Sequence, residues 1–330
     1  MKSVKMDKNS LRIVYMGTPD FAVEPLKKLI ENNYNIVGVI TNPDKPAGRG
    51  QKIQESAVKK FAINHNLKIL QPEKFRDETF LNKLRDMKAD LQIVVAFKML
   101  PEIVWNMPKF GTFNLHASLL PQYRGAAPIN WAIINGDPKT GVSTFFLTHD
   151  IDTGYVIFQE EVDITEDDNA GTIHDKLMYT GSDLVLKTVD AIITNNYPRI
   201  NQKDLVKVDT KIKHAPKIFK NDCKIDWTKN IDSIHNLIRG LSPYPASWTE
   251  INNEQDTIQL KIFKANKEVT NHNLEPGEIS TDEKTFLKVA VNGGFIQIAE
   301  LQQAGKKRMN IDNFLRGFQE IKDYKFSTKA

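Results

Sequence analysis

Asn114 and His116 stand two residues apart at the end of an apolar run, Phe113-Asn114-Leu115-His116-Ala117-Ser118-Leu119-Leu120-Pro121. Alternate residues of a strand share one face, so this spacing projects a carboxamide and an imidazole to the same side. Together they can hold a carbonyl oxygen and stabilise the negative charge that develops on it when the carbonyl carbon is attacked. The chemistry implied is acyl transfer. A third group comes from His149-Asp150-Ile151-Asp152-Thr153-Gly154. Asp152 opens a Gly-containing turn after the strand-like run 142–147, where its carboxylate can orient His116 and accept a proton. Taken singly, Asn-x-His is also what an ordinary strand end carries, and the added carboxylate is what makes it a candidate site. Ser118 reads as a pocket and turn residue, because no Gly-x-Ser-x-Gly surrounds it.

The elements that must position these groups follow from hydrophobic period. Residues 11–16 form an apolar run closed by Gly17-Thr18-Pro19, and apolar residues recur at helical spacing over 21–30. Strand 36–41, loop 42–52, helix 58–64 with Lys59 and Lys60 on its exposed side, strand 68–70 and helix 78–87 come next. The run 91–97 is apolar enough for a strand buried on both faces. This alternation predicts an α/β fold with a doubly wound, mostly parallel sheet, whose ligands lie beyond the carboxyl ends of the strands. Asn114 and His116 fall at such an end. Past Asp152, a returning strand over 155–162 and a long amphipathic helix over 172–194 complete a first domain, 1–194.

The polar segment 195–214, carrying Lys203, Lys207, Lys211 and Lys213, reads as a linker. From 215 to 330 the pattern becomes short β-like runs, 257–265, 278–280, 286–291 and 295–301, separated by Gly and Asn turns. One helix, 231–241, interrupts them. A small β-barrel is expected.

Composition narrows the function classes. The chain has 330 residues, 40% hydrophobic and 26% charged, as ordinary globular proteins do, and a net charge of only +4 says little about nucleic acid. Clusters matter more: Lys45, Arg49 and Lys52 lie among Pro and Gly residues, and Lys306, Lys307 and Arg308 stand together near the C-terminus. With the lysines of 195–214 they can track phosphates. Cys223 is the only cysteine, which excludes an internal disulfide and a Cys-based zinc site within one chain, and points to a reducing compartment. No segment has the apolar length of a signal peptide or of a membrane span. A cytoplasmic protein with no membrane contact, acting as a monomer, is expected. Gly17-Thr18-Pro19-Asp20-Phe21 lacks the G-x-G-x-x-G of dinucleotide sites, so no nicotinamide cofactor is expected. The seven histidines contain no H-x-x-x-H or H-E-x-x-H pair, so no metal is expected either.

Read with their flanks, these residues resemble a known family. Asn114-Leu115-His116-Ala117-Ser118-Leu119-Leu120-Pro121, Tyr123-Arg124-Gly125-Ala126-Ala127-Pro128-Ile129 and Asp152-Thr153-Gly154 resemble the formyltransferases that use 10-formyltetrahydrofolate. Residues 12–21 resemble that family's opening strand and turn. Pro43-Asp44-Lys45-Pro46-Ala47-Gly48-Arg49-Gly50, Ile238-Arg239-Gly240-Leu241-Ser242-Pro243-Tyr244-Pro245 and Gly305-Lys306-Lys307-Arg308-Met309 resemble its branch acting on methionyl-tRNA.

The resemblance implies an OB-like second domain that helps hold RNA, and catalysis by Asn114, His116 and Asp152. It implies a folate crevice supplied by Phe97, Met99 and Leu100 and the loop before Asp152, with Ser118, Leu119, Leu120 and Pro121 closing one side. It also implies initiator methionyl-tRNA as partner, gripped by the loop carrying Arg49, Lys45 and Lys52. One position departs from the pattern: Lys98 stands where many members have Gly, and a positive φ there would strain it. The three polar groups leave open a small-amine acceptor, such as glycinamide ribonucleotide or an amino sugar nucleotide. They also leave open a folate-hydrolysing relative, whereas their being intact argues against a noncatalytic RNA-binding module on the same fold.

Overall fold

The computed structural model describes residues 7–47, 52–206, 211–318 and 320–328. The chain divides into two units: 1–125, 140–162 and 174–214 form one, and 126–139, 163–173 and 215–330 the other.

The first unit is built on a seven-stranded sheet. Its spatial order is Val156–Asp163, Lys139–Phe146, Thr112–His116, Leu91–Val95, Ile13–Gly17, Ile36–Ile40 and Ile69–Leu70. The pairings of Ile13–Gly17 with both neighbours, of Ile36–Ile40 with Ile69–Leu70 and of Leu91–Val95 with Thr112–His116 are parallel; Thr112–His116 meets Lys139–Phe146 antiparallel. Leu91–Val95 is buried at all five positions, as its unbroken apolar run requires. Leu91–Val95 lies at the centre with Ile13–Gly17 beside it, and the chain runs outward from this pair in both directions, which makes their carboxyl ends a topological switch point. Two helices start where short polar side chains satisfy free amide groups: Ser56 accepts from Lys59 N–H to open Ala57–Asn64, and Asp77 from Phe80 N–H to open Glu78–Asp86. A core of Val14, Met16, Ile40, Leu81, Leu84 and Val94 lies between helix Glu78–Asp86 and the sheet.

The residues expected to form a plain loop over 42–52 instead include a two-stranded antiparallel stem, Lys45–Ala47 against Lys52–Gln54. Its root is pinned from the side. The Gln71 amide donates to Asn42 O and Asp44 Oδ1, each at 2.8 Å, and Lys59 pairs with Asp44 and with Glu55. Lys59, expected on an exposed helix face, is therefore committed to the stem. Segment 195–214 belongs to the first unit. Ile200 exchanges backbone hydrogen bonds with Val156, and Leu205 packs against Leu120, Phe145 and Val156.

The second unit is an antiparallel, nearly closed barrel. Ile279–Thr281, Leu287–Val291, Gly294–Gln303, Thr257–Val269, Ser247–Asn252 and Lys325–Phe326 follow one another across the sheet, and Met309–Asn310 pairs onto Gly294–Gln303. Inward residues alternate along Ser247–Asn252 and Gly294–Gln303 and meet the apolar stripe Ile231, Ile234, Ile238 of helix Ile231–Leu241 over Trp227.

Candidate active site

Asn114 and His116 occupy alternate positions of strand Thr112–His116, in register with Val94 on one side and with Phe145 and Ser143 on the other. Asn114 is half-buried, and its Oδ1 is buried with no hydrogen-bond partner. Burying an acceptor unpaired costs free energy, and such atoms concentrate where a ligand completes the set. His116 is buried, with Nε2 2.9 Å from Tyr123 O. A carbonyl accepts only, so Nε2 carries the proton and Nδ1 is the nitrogen available to a reacting group. Neutral His116 therefore accepts through Nδ1, and donates there only when doubly protonated.

The loop that supplies the Tyr123 carbonyl is tied down at several points. Ser143 Oγ donates to Ser118 O at 2.6 Å and accepts from Leu120 N at 3.0 Å, while Gln159 Nε2 donates to Leu120 O at 2.9 Å. Ser118 Oγ donates to Gln122 O at 2.6 Å, which makes it the turn residue its sequence context indicated. Leu120 and Pro121 are buried, with Leu120 in the cluster that holds Leu205, and Leu119 is half-buried. Tyr123 has φ of 59°.

Asp152 also has a left-handed backbone, φ 54°. Its Oδ2 accepts from Gly125 N–H at 3.1 Å. Two residues on, a Cβ at Gly154 would lie 1.7 Å from Phe146 O, so only glycine permits the turn to close there. Loop 117–125 thus fixes the His116 ring through Tyr123 and the Asp152 carboxylate through Gly125. Sequence reasoning missed this, because both contacts use backbone atoms that any residue would provide.

It also missed Gln202, which lies in the segment read as a linker. Gln202 is 2% exposed; its Nε2 donates to Asp152 O and Gly154 O, each at 2.8 Å, and its Oε1 accepts from Arg124 Nε at 3.0 Å and Nη2 at 2.5 Å. A single glutamine between Asn201 and Lys203 in a polar stretch carries no periodic signal.

The residues expected to wall a folate crevice take different positions. Phe97 is half-buried against Phe75, Leu100 lies in the core, and Met99 is 74% exposed. Lys98 has no positive φ; the left-handed residue of this loop is Ala96, φ 46°, directly after strand Leu91–Val95. Lys98 instead lays its ammonium 4.5 Å from the Phe75 ring. Partial burial first, and the charge of Lys45 second, hold its pKa below the ordinary lysine value.

Of the expected RNA contacts, Lys45 is exposed on the stem, Lys52 belongs to its second strand, and Arg49 lies outside the described residues, as does Lys207. Lys306 and Lys307 are exposed in a turn closed by Lys306 N–H to Gln303 O. Arg308 is committed to Glu300 and stacks 4.4 Å from the Phe263 ring. Among the described residues, no group of three or more His, Cys, Asp or Glu could hold a metal ion, and no helix is long and apolar enough to cross a membrane.

A strand-end amide and imidazole with a tethered carboxylate, on a switch-point sheet followed by a small barrel, matches one family over nearly the whole chain. The model described as formyl transferase spans residues 11–189, and that described as formyl transferase, C-terminal domain, spans 217–319. The chain belongs to the formyltransferase family and is an enzyme that transfers formyl groups. The methionyl-tRNA formyltransferase of Bacteroides fragilis is 58% identical to it over 321 residues, covering 97% of this chain and 99% of its own. That of Phocaeicola vulgatus is 60% identical over 315 residues, 95% and 97% of the two chains. An N-formyltransferase from Helicobacter canadensis in complex with folinic acid and dTDP-3-aminofucose shares the fold, with a TM-score of 0.63 at 21% identity over 91% of this chain and 100% of that one.

Proposed function

We propose that this enzyme transfers the formyl group of 10-formyltetrahydrofolate to the free α-amine of methionyl initiator tRNA, giving N-formylmethionyl-tRNA and tetrahydrofolate for translation initiation. The near full-length identity to proteins named methionyl-tRNA formyltransferase carries the choice of acceptor. The arrangement of Asn114, His116 and Asp152 carries the chemistry.

The amine attacks neutral and must shed one proton, while the departing folate nitrogen takes one up. Asp152, half-buried and held by Gly125 N–H, receives the amine proton directly or through one water and, once protonated, can return it to the departing folate nitrogen. Asn114 donates its amide hydrogen to the formyl oxygen as negative charge grows there, and His116 supports the same oxygen through Nδ1 when protonated. The folate would lie beside Asn114; the unpaired Oδ1 of that residue and the exposed apolar side chains Met99 and Ile151 support this placement. The ammonium groups of Lys98 and Lys45 give that edge a positive field suited to anionic ligands. RNA would be gripped by Arg49, Lys45 and Lys52 on the 45–54 arm and by Lys306 and Lys307 on the barrel, with Arg308 braced against Glu300. A cytoplasmic, monomeric enzyme completes the reading.

Acceptor choice tests the proposal. With labelled folate donor, methionyl initiator tRNA should be formylated and glycinamide ribonucleotide and dTDP-amino sugars should not. Preferential labelling of either small amine would refute the tRNA assignment.

A further inference from the structure

The segment 195–214 carries a buried glutamine whose hydrogen-bonding capacity is fully spent, half on the turn that presents Asp152 and half on Arg124. An amide side chain has two N–H donors and two acceptor lone pairs. In Gln202 both donors go to carbonyls of that turn, Asp152 O and Gly154 O, and both lone pairs go to the Arg124 guanidinium. Arg124 directly precedes Gly125, whose N–H donates to Asp152 Oδ2. Gln202 thus joins the two sides of one small ring: the backbone of Asp152 and the residue next to the donor on its carboxylate.

The ring has something to hold. Asp152 lies at φ 54°, a region that residues with a Cβ visit uncommonly, so its orientation depends on surrounding contacts. Gln202 itself is anchored before and after. The Ile200–Val156 backbone pair lies two residues upstream and the packing of Leu205 three residues downstream, and Asn201 caps the short helix Gln202–Leu205.

We propose that Gln202 is a positioning residue for formyl transfer, aiming the Asp152 carboxylate at the amine proton. This rests on the reading of Asp152 as the proton acceptor. Glutamate in its place would keep the acceptors for Arg124 and lose both donors to the turn. Leucine would keep the bulk and lose all four bonds.

A double-mutant cycle in the full-length enzyme tests this: wild type, Gln202→Leu, Gln202→Glu, Asp152→Asn and the Gln202→Leu/Asp152→Asn pair, with kcat and both KM values measured. Misaiming a catalytic group by about 1 Å costs on the order of 100-fold in rate. We expect each Gln202 variant to lose about that much in kcat, with both KM values within about twofold of wild type. In the Asp152→Asn background, Gln202→Leu should cost less than about twofold, because the group being aimed is gone. An equal loss in both backgrounds, or wild-type kcat in Gln202→Leu, would overturn the positioning role and leave Asp152 untouched. If Gln202→Leu does not fold, Gln202→Glu with its pair carries the same comparison. Wild-type kcat in Asp152→Asn would remove the proton-acceptor reading and this proposal with it.

Discussion

His116 Nε2 and Tyr123 O lie 2.9 Å apart, a contact that leaves Nδ1 as the ring nitrogen for the proposed chemistry. Because the carbonyl claims the Nε2 proton, the two amide replacements separate anchoring from chemistry. Glutamine reaches the Nε2 position and asparagine the Nδ1 position. We expect His116→Gln to keep the loop bond and a melting temperature near wild type while losing about 100-fold or more in kcat. Wild-type turnover in His116→Gln would show that the ring serves only to fix the loop.

Asn114 combines an unpaired buried acceptor with a proposed role at the formyl oxygen. Removing a transition-state donor of this kind costs roughly 3–4 kcal/mol, a rate loss of about two to three orders of magnitude. Removing an unsatisfied buried acceptor relieves a desolvation penalty. Asn114→Ala should therefore be slow and at least as heat-stable as wild type, a pairing seen where sites trade stability for function. A variant both fast and destabilised would place Asn114 among the structural residues.

Much of this was legible from side-chain pattern alone. Helix Ile231–Leu241 shows its apolar stripe at Ile231, Ile234, Ile238 and Leu241 after the capping residue Asn230, so period and boundary agree. Asn114 and His116 could be placed on one strand face because side-chain alternation has period two. Helix Pro128–Ile134 and the three-residue strands of the 45–54 stem were too short to establish a period, and strand Ser247–Asn252 hid its own because two of its three inward residues, Ser247 and Thr249, are polar. Every contact whose acceptor is a carbonyl escaped as well, including Tyr123 to His116 and the Asp152 turn to Gln202. Lys59 read as a solvated lysine because its partner Asp44 lies in another element, across a separation that local spacing does not reveal.

The Lys59–Asp44 pair gives the stem a defined pH response. The hydrogen bond from Lys59, aided by Gln71, holds the Asp44 carboxyl below its usual range, and the same bond raises Lys59. Asp44's contribution is complete above the ordinary carboxylate pKa of about 4 and is lost as pH falls through its lower folded value; that of Lys59 is complete below about 10.4 and is lost as pH rises through its raised value. Corrected amide exchange in 45–47 and 52–54 should be flat through neutral pH and faster at both extremes. Asp44→Asn should speed it at neutral pH, and unchanged exchange in that variant would exclude the pin.

Lys306 and Lys307 are exposed, whereas Arg308 is braced by Glu300 and Phe263. If the two lysines meet phosphates, Lys306→Ala and Lys307→Ala should each weaken tRNA binding and reduce the slope of log affinity against log salt by about one. An unchanged slope would move the RNA contact elsewhere on the enzyme.

The most direct test is transfer of labelled formyl from 10-formyltetrahydrofolate to methionyl initiator tRNA, with free methionine, uncharged tRNA and the Asp152→Asn variant alongside. Label on the charged tRNA alone, lost in the variant, is the expected result. Folate consumption with no labelled tRNA, or full labelling by Asp152→Asn, would contradict the account.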